Sequence, residues 1–141
     1  MSASTKLSTA VKALCYISNC YPEPKNSTDI ANSIGVNASK LRKILSMLVK
    51  NDIVESSYGV KGGFLLKKDS SKLHLQEIYC AIEDRKAFYL DVRKKDVKKN
   101  SMPAKLNSYF LELFSDIQVD IEEKMKIITI KSILEKINNK K

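Results

Sequence analysis

The sequence predicts a mainly α fold, and three observations carry that prediction. Apolar residues recur every three or four positions over most of the chain, the spacing of helices that bury one stripe. Gly35 separates two such stretches, and the second has a basic outer face. Two short strand-like runs then flank the segment YGVKGG, whose glycines suit a tight connection. A helix, a short glycine turn, a second helix and a hairpin together make a winged helix-turn-helix. The expected architecture is a winged helix-turn-helix over residues 1–84, a linker over 85–102, and a long dimerisation helix with a C-terminal helix over 103–141.

In chain order, Leu7, Val11, Leu14, Ile17 and Tyr21 trace the first helix, with Ser4 or Thr5 as its cap and its end before Pro22. The segment YPEPKNS interrupts the pattern, because its prolines remove backbone donors and hold the chain extended. Ser27 or Thr28 is expected to cap a short helix carrying Ile30, Ala31 and Ile34, and Gly35 stands where a left-handed residue ends it. Gly35 to Asn37 is the turn. The third helix starts near Ala38 or Ser39 and places Leu41, Ile44, Leu45 and Leu48 on one stripe. Its other face carries Ser39, Lys40, Arg42, Lys43, Ser46 and Lys50. Ile53 to Ser57 and Phe64 to Lys68 are the expected strands of the wing.

Leu75, Ile78, Tyr79 and Ile82 predict a further short helix capped by Ser71 or His74. Asp84 to Ser101 is a polar connection containing RKKDVKK, with one short strand-like run from Phe88 to Val92. Pro103 suits the first turn of a new helix, through which Leu106, Phe110, Leu113, Ile117, Ile121 and Met125 form one stripe over about six turns. Such a helix has too little of its own domain to cover it, so a partner helix is expected. The partner is a second copy of the chain, with Leu106, Phe110, Leu113, Ile117 and Ile121 as candidate dimerisation residues. Ile130, Ile133, Leu134 and Ile137 predict a last helix capped by Thr129.

Composition narrows the function. With 141 residues the chain suits one core of ordinary size. Lys and Arg number 25 against 16 Asp and Glu, a formal charge of +9, which favours anionic partners such as nucleic acid. No apolar stretch approaches the roughly 20 residues of a membrane-spanning helix, and MSASTKLSTA lacks the apolar centre of a signal peptide. No membrane association and a cytoplasmic location are the expectations. The three cysteines, Cys15, Cys20 and Cys80, form no CxxC pair, which argues against a cysteine-built zinc site. No Ser/His/Asp arrangement, HExxH or GxxxxGK is present, so the sequence supports neither an enzyme nor a bound cofactor or metal.

The segments LSTAVKALCYIS, STDIANSIGVNASKLRKILSMLVKNDIVESSYGVKGGFLL and LHLQEIYCAIED resemble the Rrf2 family of bacterial transcription regulators. The resemblance covers Leu7 to Asp84 and is most specific at KLRKIL and at SSYGVKGGFLL. It implies a winged-helix domain with a long dimerisation helix, and a homodimeric repressor that binds double-stranded DNA at an inverted-repeat operator. Two departures stand out. Tyr58 occupies the place before the first wing glycine where the family often has an arginine. Cluster-binding members carry three cysteines between the fourth helix and the dimerisation helix, and Asp84 to Pro103 has none, so a family-type iron–sulfur cluster is not expected.

On this reading the candidate DNA-binding residues are Ser27, Thr28, Asn37, Ser39, Lys40, Arg42, Lys43, Lys50, Tyr58 and Lys61. Ser39 and Lys40 are placed to meet base edges, whereas Lys43 and Lys50 suit phosphates. The bland alternative for the lysines is a solvated helix face, and for Gly59, Gly62 and Gly63 a simple turn. Cys15 and Cys80 are expected to be small core residues, with Cys20 the most exposed thiol. Cys20 and Cys15 are the candidate redox-sensing residues, while the signal itself, redox or small molecule, is left open. His74 is expected to be a cap or a surface residue. The rival readings are a winged-helix adaptor that binds an acidic protein and no DNA, and a small enzyme with a pocket beside the long helix.

Overall fold

The structure, a computed structural model, describes residues 3–83 and 98–139. The strand-like run Phe88 to Val92 lies outside the described residues. Helix α1 (Ala3–Cys20) begins before its expected caps, so Ser4 and Thr5 lie inside it. Tyr21 does not extend the apolar stripe. The helix stops one residue earlier and leaves Tyr21 in a turn, 63% exposed.

Helix α2 (Ser27–Ile34) is capped by Asn26, whose Oδ1 accepts the Asp29 N–H at 2.8 Å. The expected caps are thereby corrected: Ser27 is the first helical residue and Thr28 the second, because the side chain one position earlier already meets the free N–H groups. Gly35 closes the helix in the left-handed region at φ 70°. Helix α3 (Ala38–Lys50) is capped by Asn37, which accepts the Lys40 N–H at 3.1 Å. Its expected stripe of Leu41, Ile44, Leu45 and Leu48 is fully buried.

Strands β1 (Val54–Ser57) and β2 (Gly63–Leu66) pair antiparallel, from Val54 opposite Leu66 to Ser57 opposite Gly63. Each is shorter than expected. Ile53 precedes β1, and Lys67 and Lys68 leave β2, although the Lys67 N–H still reaches Ile53 O at 2.9 Å. Helix α4 (Leu75–Ile82) is capped by His74, whose Nδ1 accepts the Glu77 N–H at 3.2 Å.

These elements share one core, in which Leu14 and Ile17 of α1, Ile30 of α2, the α3 stripe, Ile53, Leu73 and Ile78 are at most 1% exposed. Burying each such aliphatic side chain is worth roughly 1.5–3 kcal/mol relative to leaving it in water. Ile130 belongs to the same core. Helix α5 (Met102–Lys126), capped by Ser101, runs out and returns through Ile127 to Thr129. That return is stitched to the entrance of α4 by Leu75 N–H to Ile128 O and Ile130 N–H to Leu73 O, both 2.9 Å. Helix α6 (Ile130–Asn138), with Thr129 and Ser132 in a reciprocal capping box, then packs on α1.

Helix α5 is covered much less. Of its 25 residues only Gln118 is buried. Leu113, Ile117 and Ile121 are half-buried, and Leu106, Tyr109, Phe110 and Val119 are exposed. Among the described residues no helix is long and apolar enough to cross a membrane.

Candidate nucleic-acid interface

The buried stripe of α3 dictates what its other face must do. Because Leu41, Ile44, Leu45 and Leu48 are locked into the core, Ser39, Lys40, Arg42, Lys43, Ser46 and Lys50 all project into solvent. Among the described residues, Lys6, Lys25, Lys67 and Lys68 are the cations that form salt bridges with described carboxylates. Lys40, Lys43 and Lys50 therefore keep their charge unneutralised by any described neighbour. Arg42 is oriented instead: its Nε donates to Ser27 Oγ at 3.2 Å, which draws the guanidinium to the first turn of α2. Ser27 is half-buried, while Thr28 and Asn37 are exposed.

The hairpin beside α3 is held by backbone geometry. The Gly62 N–H bonds Gly59 O at 3.0 Å across the loop, and Gly59 sits at φ 106°. A Cβ on Gly62 would overlap Ser57 O and lie 2.7 Å from the Tyr58 carbonyl carbon. Gly63, at φ 151°, has Lys25 backbone atoms 2.6 Å from where a Cβ would stand. That close approach lets the Lys25 N–H reach Phe64 O at 3.3 Å and the Phe64 N–H reach Lys25 O at 2.8 Å. The wing is thus pinned to the segment that enters α2. At its tip Tyr58 and Val60 are almost wholly exposed, and Lys61 projects beside them.

Sequence reasoning missed Lys25, Asn26 and Asn51 in this assembly. Asn51 Nδ2 bonds Met47 O at 2.8 Å and Ala81 O at 3.4 Å, joining the end of α3 to α4. A signal for Asn26 was present, since Asn is as good a cap as Ser and stands directly before the helix. Lys25 carries no such signal, because its role is played by its backbone.

The cysteines are placed differently from expectation. Cys80 is exposed and Cys20 half-buried, so Cys20 is not the most accessible thiol. The α4 stripe explains this: Ile78, Tyr79 and Ile82 face inward together with Gln76, and Cys80 falls outside it, accepting from Gln76 Nε2 at 3.4 Å. Cys15 is half-buried against the core, and desolvation pushes its thiol up to about 11, which suppresses the thiolate that oxidants attack. Burial likewise raises the Tyr79 hydroxyl above its ordinary value.

A basic helix face beside a pinned hairpin offers ammonium and guanidinium groups to an extended anionic partner. Over residues 3–136 the chain matches the Rrf2 family, described as iron-dependent transcriptional regulators. The chain belongs to the Rrf2 family. It is similar to YwnA of Bacillus subtilis, named as an HTH-type transcriptional regulator, at 28% identity over 93% of this chain and 96% of YwnA. It also matches the HTH-type transcriptional regulator IscR of Escherichia coli at 36% identity, over 43% of this chain and 38% of IscR. Among solved structures, CymR, the global cysteine regulator of B. subtilis, superimposes with a TM-score of 0.72 over 96% of this chain and 97% of CymR. At 20% identity that likeness concerns the fold. The Rrf2 chain is thus a DNA-binding transcriptional regulator with a winged-helix fold, and not an enzyme.

Iron dependence, the description attached to the Rrf2 family, bears on the donor atoms of this member. An iron–sulfur cluster is held mainly by thiolates, and residues 84–103 contain neither Cys nor His. Cys15 and Cys20 lie on α1, Cys80 lies on α4, and His74 is committed to capping. Among the described residues no three His, Cys, Asp or Glu side chains come together as a metal site would need. This donor set does not fit such a cluster.

Proposed function

We propose that this Rrf2 member is a homodimeric repressor that binds an inverted-repeat operator. The observation that carries the reading is the solvent-facing basic surface of α3, whose charges no described carboxylate neutralises and beside which the wing is pinned. In this reading α3 enters the major groove, with Ser39 and Lys40 near its N-terminus meeting base edges. Arg42, Lys43 and Lys50 bind phosphates and set position without reading sequence. Ser27, Thr28 and Asn37 stand at the first turns of α2 and α3, where hydroxyl, amide and backbone N–H donors suit a phosphate. Tyr58 and Lys61 bring the wing tip to the neighbouring backbone. The tyrosine, in place of arginine, makes that contact one of shape and hydrogen bonding more than of charge.

The dimer is proposed to form along α5 through Leu106, Phe110, Leu113, Ile117 and Ile121, which this chain covers only in part. A two-fold arrangement of heads would place half-sites about one helical turn or a little more apart. Occupying such an operator excludes other proteins from the same grooves, and this is repression.

The test is fluorescence anisotropy of the purified protein with its own upstream DNA and with a scrambled duplex, over a salt series. Specific affinity is expected to exceed non-specific affinity by roughly a thousandfold or more. Lys40→Ala should narrow that gap, whereas Lys43→Ala should weaken both duplexes and reduce the salt slope by about 1. Equal affinity for both duplexes would contradict sequence reading, and no binding to either would favour the protein adaptor.

A further inference from the structure

A cavity of about 390 Å3 opens between the end of α1 and the chain leaving β2. Its volume is at the small end of the roughly 300–1,000 Å3 of ligand sites. Ser18, Tyr21 and Ser70 line it together with the apolar Leu66. Lys67, Lys68 and Asp69, residues of both signs of charge, also line it. We infer that this cavity binds a small zwitterion of amino-acid or dipeptide size, its carboxylate on the lysines and its ammonium on Asp69.

The state of each charged group suits that ligand. Lys67 Nζ meets Asp52 Oδ1 at 3.0 Å, but both side chains are at least half exposed, and solvated pairs of this kind are weak enough to exchange partners. Lys68 Nζ lies 2.6 and 2.7 Å from the two carboxylate oxygens of Glu77, and an ammonium has three donors. Asp69 Oδ1 is held by the backbone N–H and the hydroxyl of Ser71, which keep its carboxyl below the ordinary value and ionised. A molecule carrying both charges can exchange with the Asp52 carboxylate at Lys67, meet a remaining donor of Lys68 and place its ammonium on Asp69.

The same residues link the cavity to the proposed DNA-binding surface. Asp52 lies in the turn between α3 and β1 at φ 59°, and the Lys67 N–H bonds Ile53 O at 2.9 Å. A carboxylate that takes Lys67 from Asp52 loosens one of the ties between the base of the wing and the end of α3. This second consequence rests on the DNA-binding reading; the binding itself does not.

Isothermal titration of the full chain with glycine, L-leucine and glycyl-L-valine, and with propionate and ethylamine as single-charge controls, tests the site without DNA. At least one zwitterion should bind saturably at one per chain, with the controls at least about tenfold weaker. A tenfold change in affinity is the size expected of one charge-assisted contact. Asp69→Asn and Lys67→Ala should each weaken the zwitterion by about tenfold while circular dichroism stays unchanged. No binding by any zwitterion, equal binding of the controls, or indifference to both substitutions would overturn the site. Anisotropy with the bound zwitterion then reads the link: a shift in DNA affinity lost in Lys67→Ala supports it, and an unchanged affinity overturns it. Absence of DNA binding with intact zwitterion binding would contradict the DNA reading and leave the site standing.

Discussion

Helices α3 and α5 present the same apolar spacing and meet opposite fates. In α3, four residues at helical intervals are buried completely and the opposite face is left polar and basic. In α5, Leu113, Ile117 and Ile121 are only half-covered, Leu106 and Phe110 remain exposed, and the one buried residue is Gln118, whose Nε2 donates to Glu122 at 3.0 Å. An apolar stripe therefore specifies a helix and the face it will bury, while the partner that buries it depends on what the rest of the chain supplies. For α3 that partner is the chain's own core; for α5 it is proposed to be a second copy.

The largest test of this contrast removes volume from the filled stripe. Leu45→Ala, at a position with no exposed surface, should lower stability by about 2–5 kcal/mol in urea unfolding, and a loss below about 1 kcal/mol would mean that α3 is less tightly packed than described. Charging the open stripe should act on assembly. Leu113→Glu with Ile117→Glu should convert dimer to monomer in sedimentation and abolish tight operator binding, while circular dichroism still shows a folded chain. A dimer that survived both substitutions would remove α5 from the interface.

A smaller effect belongs to the wing. Gly63→Ala places a methyl group against the Lys25 backbone at a φ that L residues rarely adopt, which should cost about 1–3 kcal/mol. It should also weaken DNA binding beyond what the lost stability explains. The smallest effect uses thiols as reporters of covered and open surface. Because Cys15 titrates near 11 through burial, its alkylation should lag behind that of exposed Cys80 at pH 8. Its rate should continue to rise about tenfold per pH unit until the pH nears 11. Equal rates at pH 8, read by peptide mass spectrometry, would show that Cys15 is not covered.

Much of the head was legible because its elements are short and each has local punctuation. Gly35 at a left-handed turn, Asn37 before α3, His74 before α4 and Thr129 before α6 all stand where local chemistry wants them. Misplaced details arose where the deciding partner is remote or where a helix began or ended a residue away. Tyr21 keeps the spacing of the first stripe but lies beyond the helix end. Cys80 sits in an apolar-looking stretch, yet the inward face of α4 is completed by Gln76. The docking of Ile130 depends on hydrogen bonds from the Ile130 and Lys131 N–H groups at the start of α6 to Leu73 and Ser70, a pairing distant in sequence that no local pattern announces. At the candidate interface the basic residues were visible from spacing alone, whereas the Lys25 backbone that seats the wing and the Ser27 hydroxyl that receives Arg42 needed the tertiary structure.

The central claim is that two α3 surfaces, spaced by paired α5 helices, read one operator together. Selection of bound duplexes from a random-sequence library, followed by sequencing, tests it most directly. The account predicts an enriched two-fold symmetric motif whose half-sites lie about one helical turn or a little more apart, and loss of that motif with Leu113→Glu and Ile117→Glu. Enrichment of a motif without two-fold symmetry, or no enrichment over the starting library, would contradict it.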